Sequence, residues 1–285
     1  MQPAVKWFRR PQMWVELFAL VNLGGLAPDI FLAHSTNFFR HRMEYIPLVF
    51  SLVSPLILLA GLVLLARGRL SWWRGLGLVV GWGSVVIGVL GLVLHLQSQF
   101  FQRWTLASLV YAAPFAAPLA YTGIGMLLLM NRMVHFDTLD WPLWVIFLAL
   151  GGFIGNFIFS VTDHAQNGFY HHSEWIPVVS SALAVGFMLV PLVMKVGRPY
   201  LRWCAFLMLF QAGVGIVGFA LHLRADIHGV GPTLFDRIVY GAPVFAPMLF
   251  LDLVLLAFIG LWVLYERLEP PRAGSDVQDS AASIG

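Results

Sequence analysis

His34-Ser35-Thr36-Asn37-Phe38-Phe39-Arg40-His41-Arg42-Met43-Glu44-Tyr45-Ile46-Pro47 returns later in the chain as His164-Ala165-Gln166-Asn167-Gly168-Phe169-Tyr170-His171-His172-Ser173-Glu174-Trp175-Ile176-Pro177. The shared pattern is H-x-x-N-x-F-x-H-x-x-E-[YW]-I-P. Two His, an Asn and a Glu keep their spacing, while neighbours drift: Ser35 against Ala165, Phe38 against Gly168, Met43 against Ser173. Each copy stands between long apolar runs. Working outward, Leu94-His95-Leu96 matches Leu221-His222-Leu223. Tyr111-Ala112-Ala113-Pro114-Phe115-Ala116-Ala117-Pro118 matches Tyr240-Gly241-Ala242-Pro243-Val244-Phe245-Ala246-Pro247. The chain reads as a tandem duplication.

The 285 residues are 59% hydrophobic and 11% charged, with mean hydropathy +0.81. A soluble domain carries roughly 25% charged residues, so composition points to an integral membrane protein. A membrane helix needs about 20 mainly apolar residues. Eight runs qualify: 13–33, 46–66, 76–96, 107–130, 142–162, 176–194, 203–223 and 239–264. The expected fold is all-α, eight transmembrane helices in two tandem parallel four-helix repeats. The repeats span 1–135 and 136–265, followed by a disordered cytoplasmic tail, 266–285. An even number of spans gives both repeats one orientation, related by a pseudo-two-fold along the membrane normal.

Lys6, Arg9, Arg10, Arg67, Arg69, Arg74, Arg132, Lys195, Arg198, Arg202, Arg267 and Arg272 collect on one side, twelve of the 17 Lys and Arg. That side is expected to be cytoplasmic, with both termini inside and the protein multi-pass in a cell membrane. The bilayer is the expected partner, with other membrane or electron-transfer subunits a further one. The basic residues form no stripe for nucleic acid. Cys204 is the single cysteine, which excludes a disulfide framework and a thiolate metal site.

On this topology both motifs, His95 and His222, and Tyr111 and Tyr240 fall at the extracytoplasmic end. Only His135 of the nine histidines falls on the other side. Read as helix, His34, Asn37, His41 and Glu44 project within about an 80° sector, a stripe roughly 15 Å long. The expected metal ligands are His41, Glu44 and His95, with His34 added, and His171, Glu174 and His222, with His164 added. Imidazole and carboxylate without thiolate suit iron, copper or zinc. Asn37 and Asn167 are expected to orient a histidine by hydrogen bonding, and Tyr111 and Tyr240 to do the same or to move protons or electrons. The implied activity is that of a metal-dependent membrane oxidoreductase.

Rival readings are a b-type haem protein with axial pairs His41/His95 and His171/His222, a metal or small-solute permease, and a structural subunit of a membrane complex. A blander one is an interfacial polar helix in which Glu44 pairs with Arg40 or Arg42. Asp252, mid-span in the last run, is either a functional acid or a local hydrogen-bond partner. Glu16 is expected to reach Lys6 or Arg10. Asp163, His172, Asp226 and His228 occur in the second copy only and either elaborate its site or are solvated. Gly24-Gly25 and Gly151-Gly152 are expected at close helix contacts.

Overall fold

The computed structural model describes residues 10–268, and no strand occurs among them. The helices are α1 (Pro11–Ser35), α2 (Tyr45–Ala66), α3 (Leu70–Gln97), α4 (Phe100–Arg103), α5 (Leu106–Val110), α6 (Leu119–Met133), α7 (Asp140–Gln166), α8 (Trp175–Val193), α9 (Arg198–His228), α10 (Leu234–Tyr240) and α11 (Met248–Arg267). Seven of them, α1, α2, α3, α7, α8, α9 and α11, are long and apolar enough to cross a membrane. Their outer faces carry bare Leu56, Val79 and Leu209, each more than 60% exposed. In water such a surface would drive aggregation. Acyl chains are its natural solvent.

The expected fourth and eighth spans are broken. Tyr111–Pro118 and the matching 240–247 contain paired prolines, which lack a donor and crowd the preceding turn. Each run therefore splits into a short helix, a non-helical stretch and a second helix. α6 keeps 15 residues, about 22 Å at helical rise, too short to cross alone. The short helices α5 and α10 start with matching caps. Thr105 accepts from the Ser108 amide, and Thr233 from the Asp236 amide, both at 3.1 Å.

Glycines let α3 meet α6 and α9 meet α11. A Cβ on Gly88 would strike Thr122, and one on Gly91 would stand 2.7 Å from Pro118. Gly215 faces Leu251, and Gly218 faces Pro247 at 2.9 Å. Of the glycine pairs expected at contacts, Gly152 meets Leu253, whereas Gly25 and Gly151 have open space beside them.

The larger core lies among α7, α8, α9 and α11, around Trp141, Phe153, Met188 and Met208. The smaller one joins α1, α2, α3 and α6 through Leu23, Leu58, Val80 and Leu128. The groups also touch each other: α6 packs on α7 and α11 on α1, while α5 reaches α7 and α10 reaches α1. Gln166 donates to the Val110 carbonyl at 3.0 Å, and the Phe31 and Phe235 rings stand 6.4 Å apart.

Glu16 finds a different partner from the one expected. Its carboxylate lies 2.7 Å from Arg132 Nη2, both side chains nearly fully buried. The guanidinium also lies 3.7 Å over the Trp73 ring. Lys6 lies outside the described residues. Arg132, counted above on the basic side, is thus an interior group, and Gly77 leaves the space it occupies. α11 runs through Arg267, so residues 266 and 267, expected in the tail, are helical; the rest of the expected tail, 269–285, lies outside the described residues.

Candidate functional site

The motif is not one helix. α1 stops at Ser35, a turn follows, and a 3-10 turn at Arg42–Glu44 leads into α2. The second motif does the same, with α7 ending at Gln166 and a 3-10 turn at His172–Glu174. The continuous polar stripe is therefore corrected to a folded corner. The reversal runs through left-handed backbone: Phe38 at φ 60°, Phe39 at 50°, Gly168 at 71° and Phe169 at 54°. Left-handed conformation costs a non-glycine residue roughly 1–2 kcal/mol, so the corner is held by something stronger.

The asparagine holds it. Asn37 Oδ1 accepts from the Phe39 amide at 3.0 Å, and Asn37 Nδ2 donates to Glu44 Oε1 at 3.0 Å. The second motif repeats both bonds, Phe169 to Asn167 at 3.0 Å and Asn167 to Glu174 at 3.4 Å. The Phe is then clamped by stacking, Phe39 on Tyr45 at 4.7 Å and Phe169 on Trp175 at 4.1 Å. These contacts explain why N, F, E and an aromatic keep their spacing.

The corner aims the glutamate at the first histidine. Glu44 Oε2 stands 3.6 Å from His34 Nδ1, and Glu174 Oε2 3.6 Å from His164 Nδ1. That is too long for a hydrogen bond, which runs about 2.7–3.2 Å. Both Oε2 atoms are buried with no hydrogen-bond partner. A buried acceptor left unpaired costs roughly 1–3 kcal/mol, and here the same atom is left in both motifs.

The third member comes from a neighbouring helix. The His95 ring, on α3, lies 6.2 Å from the His34 ring, and His222, on α9, lies 6.5 Å from His164. His95 Nδ1 is 2.8 Å from the Pro114 carbonyl, and His222 Nδ1 is 3.0 Å from the Pro243 carbonyl. A carbonyl only accepts, so each Nδ1 carries the proton. In the neutral form of the ring, the lone pair is then on Nε2. The broken stretches are thus anchored to the histidines, and Ala113 N donates to Ser98 Oγ at 3.0 Å while Ala242 N donates to Asp226 Oδ1 at 2.8 Å.

The structure brings together His34, Glu44 and His95, and His164, Glu174 and His222, with Asn37 and Asn167 bonded to the carboxylates. His41 and His171 are exposed at the start of the 3-10 turns, outside both clusters; His171 lies against Tyr170. Tyr111 and Tyr240 are exposed, away from both clusters. Asp252 is partly buried in α11, and no hydrogen bond satisfies its carboxylate among the described residues. Among the described residues no three His, Cys, Asp or Glu side chains already stand close enough to hold a metal ion: in each cluster the second histidine is the donor that stands off. Asp226, buried at 1% exposure, was only a second-copy oddity in sequence. Its signal was its place four residues after His222, on the same helix face.

No protein-family model matches the chain, and neither a curated protein nor a solved structure matches it.

Proposed function

We propose that the protein is a multi-pass membrane metalloprotein with two transition-metal sites, His34/Glu44/His95 and His164/Glu174/His222. The single observation behind this is the 3.6 Å between His and Glu donors in both motifs, with a carboxylate oxygen left unpaired in each. Two donors bound about 2.1 Å from one tetrahedral ion stand roughly 3.4 Å apart. The separation thus suits an ion shared between the groups better than a bond between them. His95 and His222 would have to move to bring Nε2 to the ion, and their carbonyl partners would supply the outer hydrogen bond that bound imidazoles usually have. Three protein donors leave a position open, the pattern of a reactive site. Iron, copper or zinc fits the donor set, and an oxidoreductase role accords with iron or copper.

The sites belong to two tandem units of one orientation, 1–135 and 136–265, with α6 and α11 as their fourth helices. The matched caps, corners, histidine anchors and glycine contacts support this. The Lys and Arg excess supports cytoplasmic termini and sites at the opposite face, in a cell membrane. Haem is the second reading. An imidazole centroid stands roughly 3 Å from a metal bound at about 2 Å, so 6.2 and 6.5 Å also suit two axial rings on one iron.

Elemental analysis and a visible spectrum of the purified protein separate the readings. Two equivalents of a transition metal and no Soret band are expected, with Glu44→Gln and Glu174→Gln each losing one equivalent. A metal-free wild type, or full retention in the double variant, refutes the metal sites. A Soret band lost in His95→Ala with His222→Ala establishes haem instead.

A further inference from the structure

Arg198 and Arg202 open α9 in a place that suits a cation poorly. α9 begins at Arg198, its cap Gly197 makes no side-chain bond, and no acid stands in its first turn. The N-terminus of a helix carries partial positive charge and repels cations. The two arginines stand four residues apart, on one helix face, where like charges repel again. Arg132 and Arg267, by contrast, sit in the last turns of their helices, where the dipole suits them. Among the described residues neither Arg198 nor Arg202 forms an ion pair with a carboxylate. Glu266, beside them, accepts from Trp262 Nε1 at 2.7 Å. A ring holds the two instead. The Arg198 guanidinium stands 4.9 Å from the centroid of Tyr265, on α11, and that of Arg202 5.7 Å, while Arg202 Nη2 donates to the Tyr265 hydroxyl at 2.8 Å. Arg198 Nε is buried with no hydrogen-bond partner. Counted back from His95 as these are from His222, the matching places in the first half hold Ser71 and Gly75. The helix start therefore does not itself call for two cations.

We propose that Arg198 and Arg202 seat the phosphate of an acidic phospholipid, whose acyl chains lie along the outer face of α9. Guanidinium forks match phosphate oxygens, and an anion there relieves the repulsion from the helix end and between the two charges. Tyr265 keeps both forks in place before the lipid arrives, so little side-chain freedom is lost on binding. Lys195, exposed three residues earlier, adds to the positive field. The apolar surface continues directly from the pair: Trp203, Phe206 and Leu209 on α9 are each more than 60% exposed. That continuity selects a lipid over a soluble phosphate, because the chains gain contact on the same helix that holds the headgroup. The seat belongs to the second half alone and does not depend on the metal sites.

Native mass spectrometry of the detergent-purified full chain tests this, with phosphatidylglycerol and phosphatidylcholine titrated separately. Phosphatidylglycerol is expected to bind in one tight step and phosphatidylcholine only weakly. Arg198→Gln with Arg202→Gln should weaken the tight step roughly 30-fold, about fivefold for each basic residue. Tyr265→Leu should weaken it as well, although it removes no charge, because it frees both guanidiniums. Arg67→Gln with Arg69→Gln, on the basic side of the first half, should leave the step unchanged. The weak phosphatidylcholine binding should stay the same in every variant, so a loss confined to phosphatidylglycerol reports the seat and not misfolding. Equal binding of the two lipids by the wild type overturns the proposal, as does an equal loss in the two double arginine variants, which would mean diffuse charge. Displacement of phosphatidylglycerol by millimolar inorganic phosphate overturns it too, in favour of a soluble anion.

Discussion

At the scale of the residue, Asn37 is the keystone of the corner. It satisfies the Phe39 amide and one oxygen of Glu44 at once. Asn37→Asp keeps the first bond and replaces the second with two facing carboxylates. About 1–3 kcal/mol of stability should be lost at neutral pH, read as a lower unfolding midpoint in detergent, and Asn37→Ser should lose less because it brings no charge. The histidine that meets Glu44 was not legible from periodicity. Helical spacing joins His41 to Glu44 across three residues, but the helix ends before the motif is complete. The sequence carried a hint. Asn is a turn residue that bonds its own backbone two positions on, and Gly168 opposite Phe38 marks a backbone needing positive φ. His95 and His222 were legible as site members because they match across the chain, but their tautomer was not, since it depends on carbonyls supplied by the broken stretches.

At the scale of the element, the α3–α6 contact depends on missing side chains. Gly88→Leu would drive a branched group into Thr122 and the Pro118 carbonyl, rigid backbone that cannot retreat. Overpacking of this kind costs typically 1–3 kcal/mol, or more. Gly25→Ala, with nothing within 4 Å of the new carbon, should be neutral or slightly stabilising. Parallel unfolding titrations in sodium dodecyl sulfate measure both. The apolar runs made the long helices legible. They did not reveal the interruptions, because hydropathy windows average over Tyr111–Pro118 without registering that two prolines remove donors. The pairs Pro114/Pro118 and Pro243/Pro247 stand at matching places in the sequence. That they end the helix altogether follows from their tertiary setting, where Ser98, Asp226 and the two histidines accept or supply the bonds the helix gives up.

At the scale of the whole molecule, the two halves share their corners but not their cores. The first half is fastened by Glu16 and Arg132 across α1 and α6, under Trp73, where the second half relies on the larger apolar cluster. Removing one member of a buried pair strands the other, at roughly 3–5 kcal/mol. Glu16→Gln should accordingly destabilise the protein by that order, and Glu16→Met combined with Arg132→Met should recover most of the loss, as judged by the unfolding midpoint. Sequence placed Glu16 near basic residues but chose neighbours in the chain, since nothing local points to a partner 116 residues away. That separation also sets a schedule for synthesis. At about 5–20 residues per second, the acid on α1 enters the membrane some ten seconds before its cation is made. α6, short and ending in that cation, is poorly suited to insert unaided. Until the two meet, the first helix carries an acid without its partner, so α1 is expected to hold its place in the bilayer less firmly before α6 is made than after.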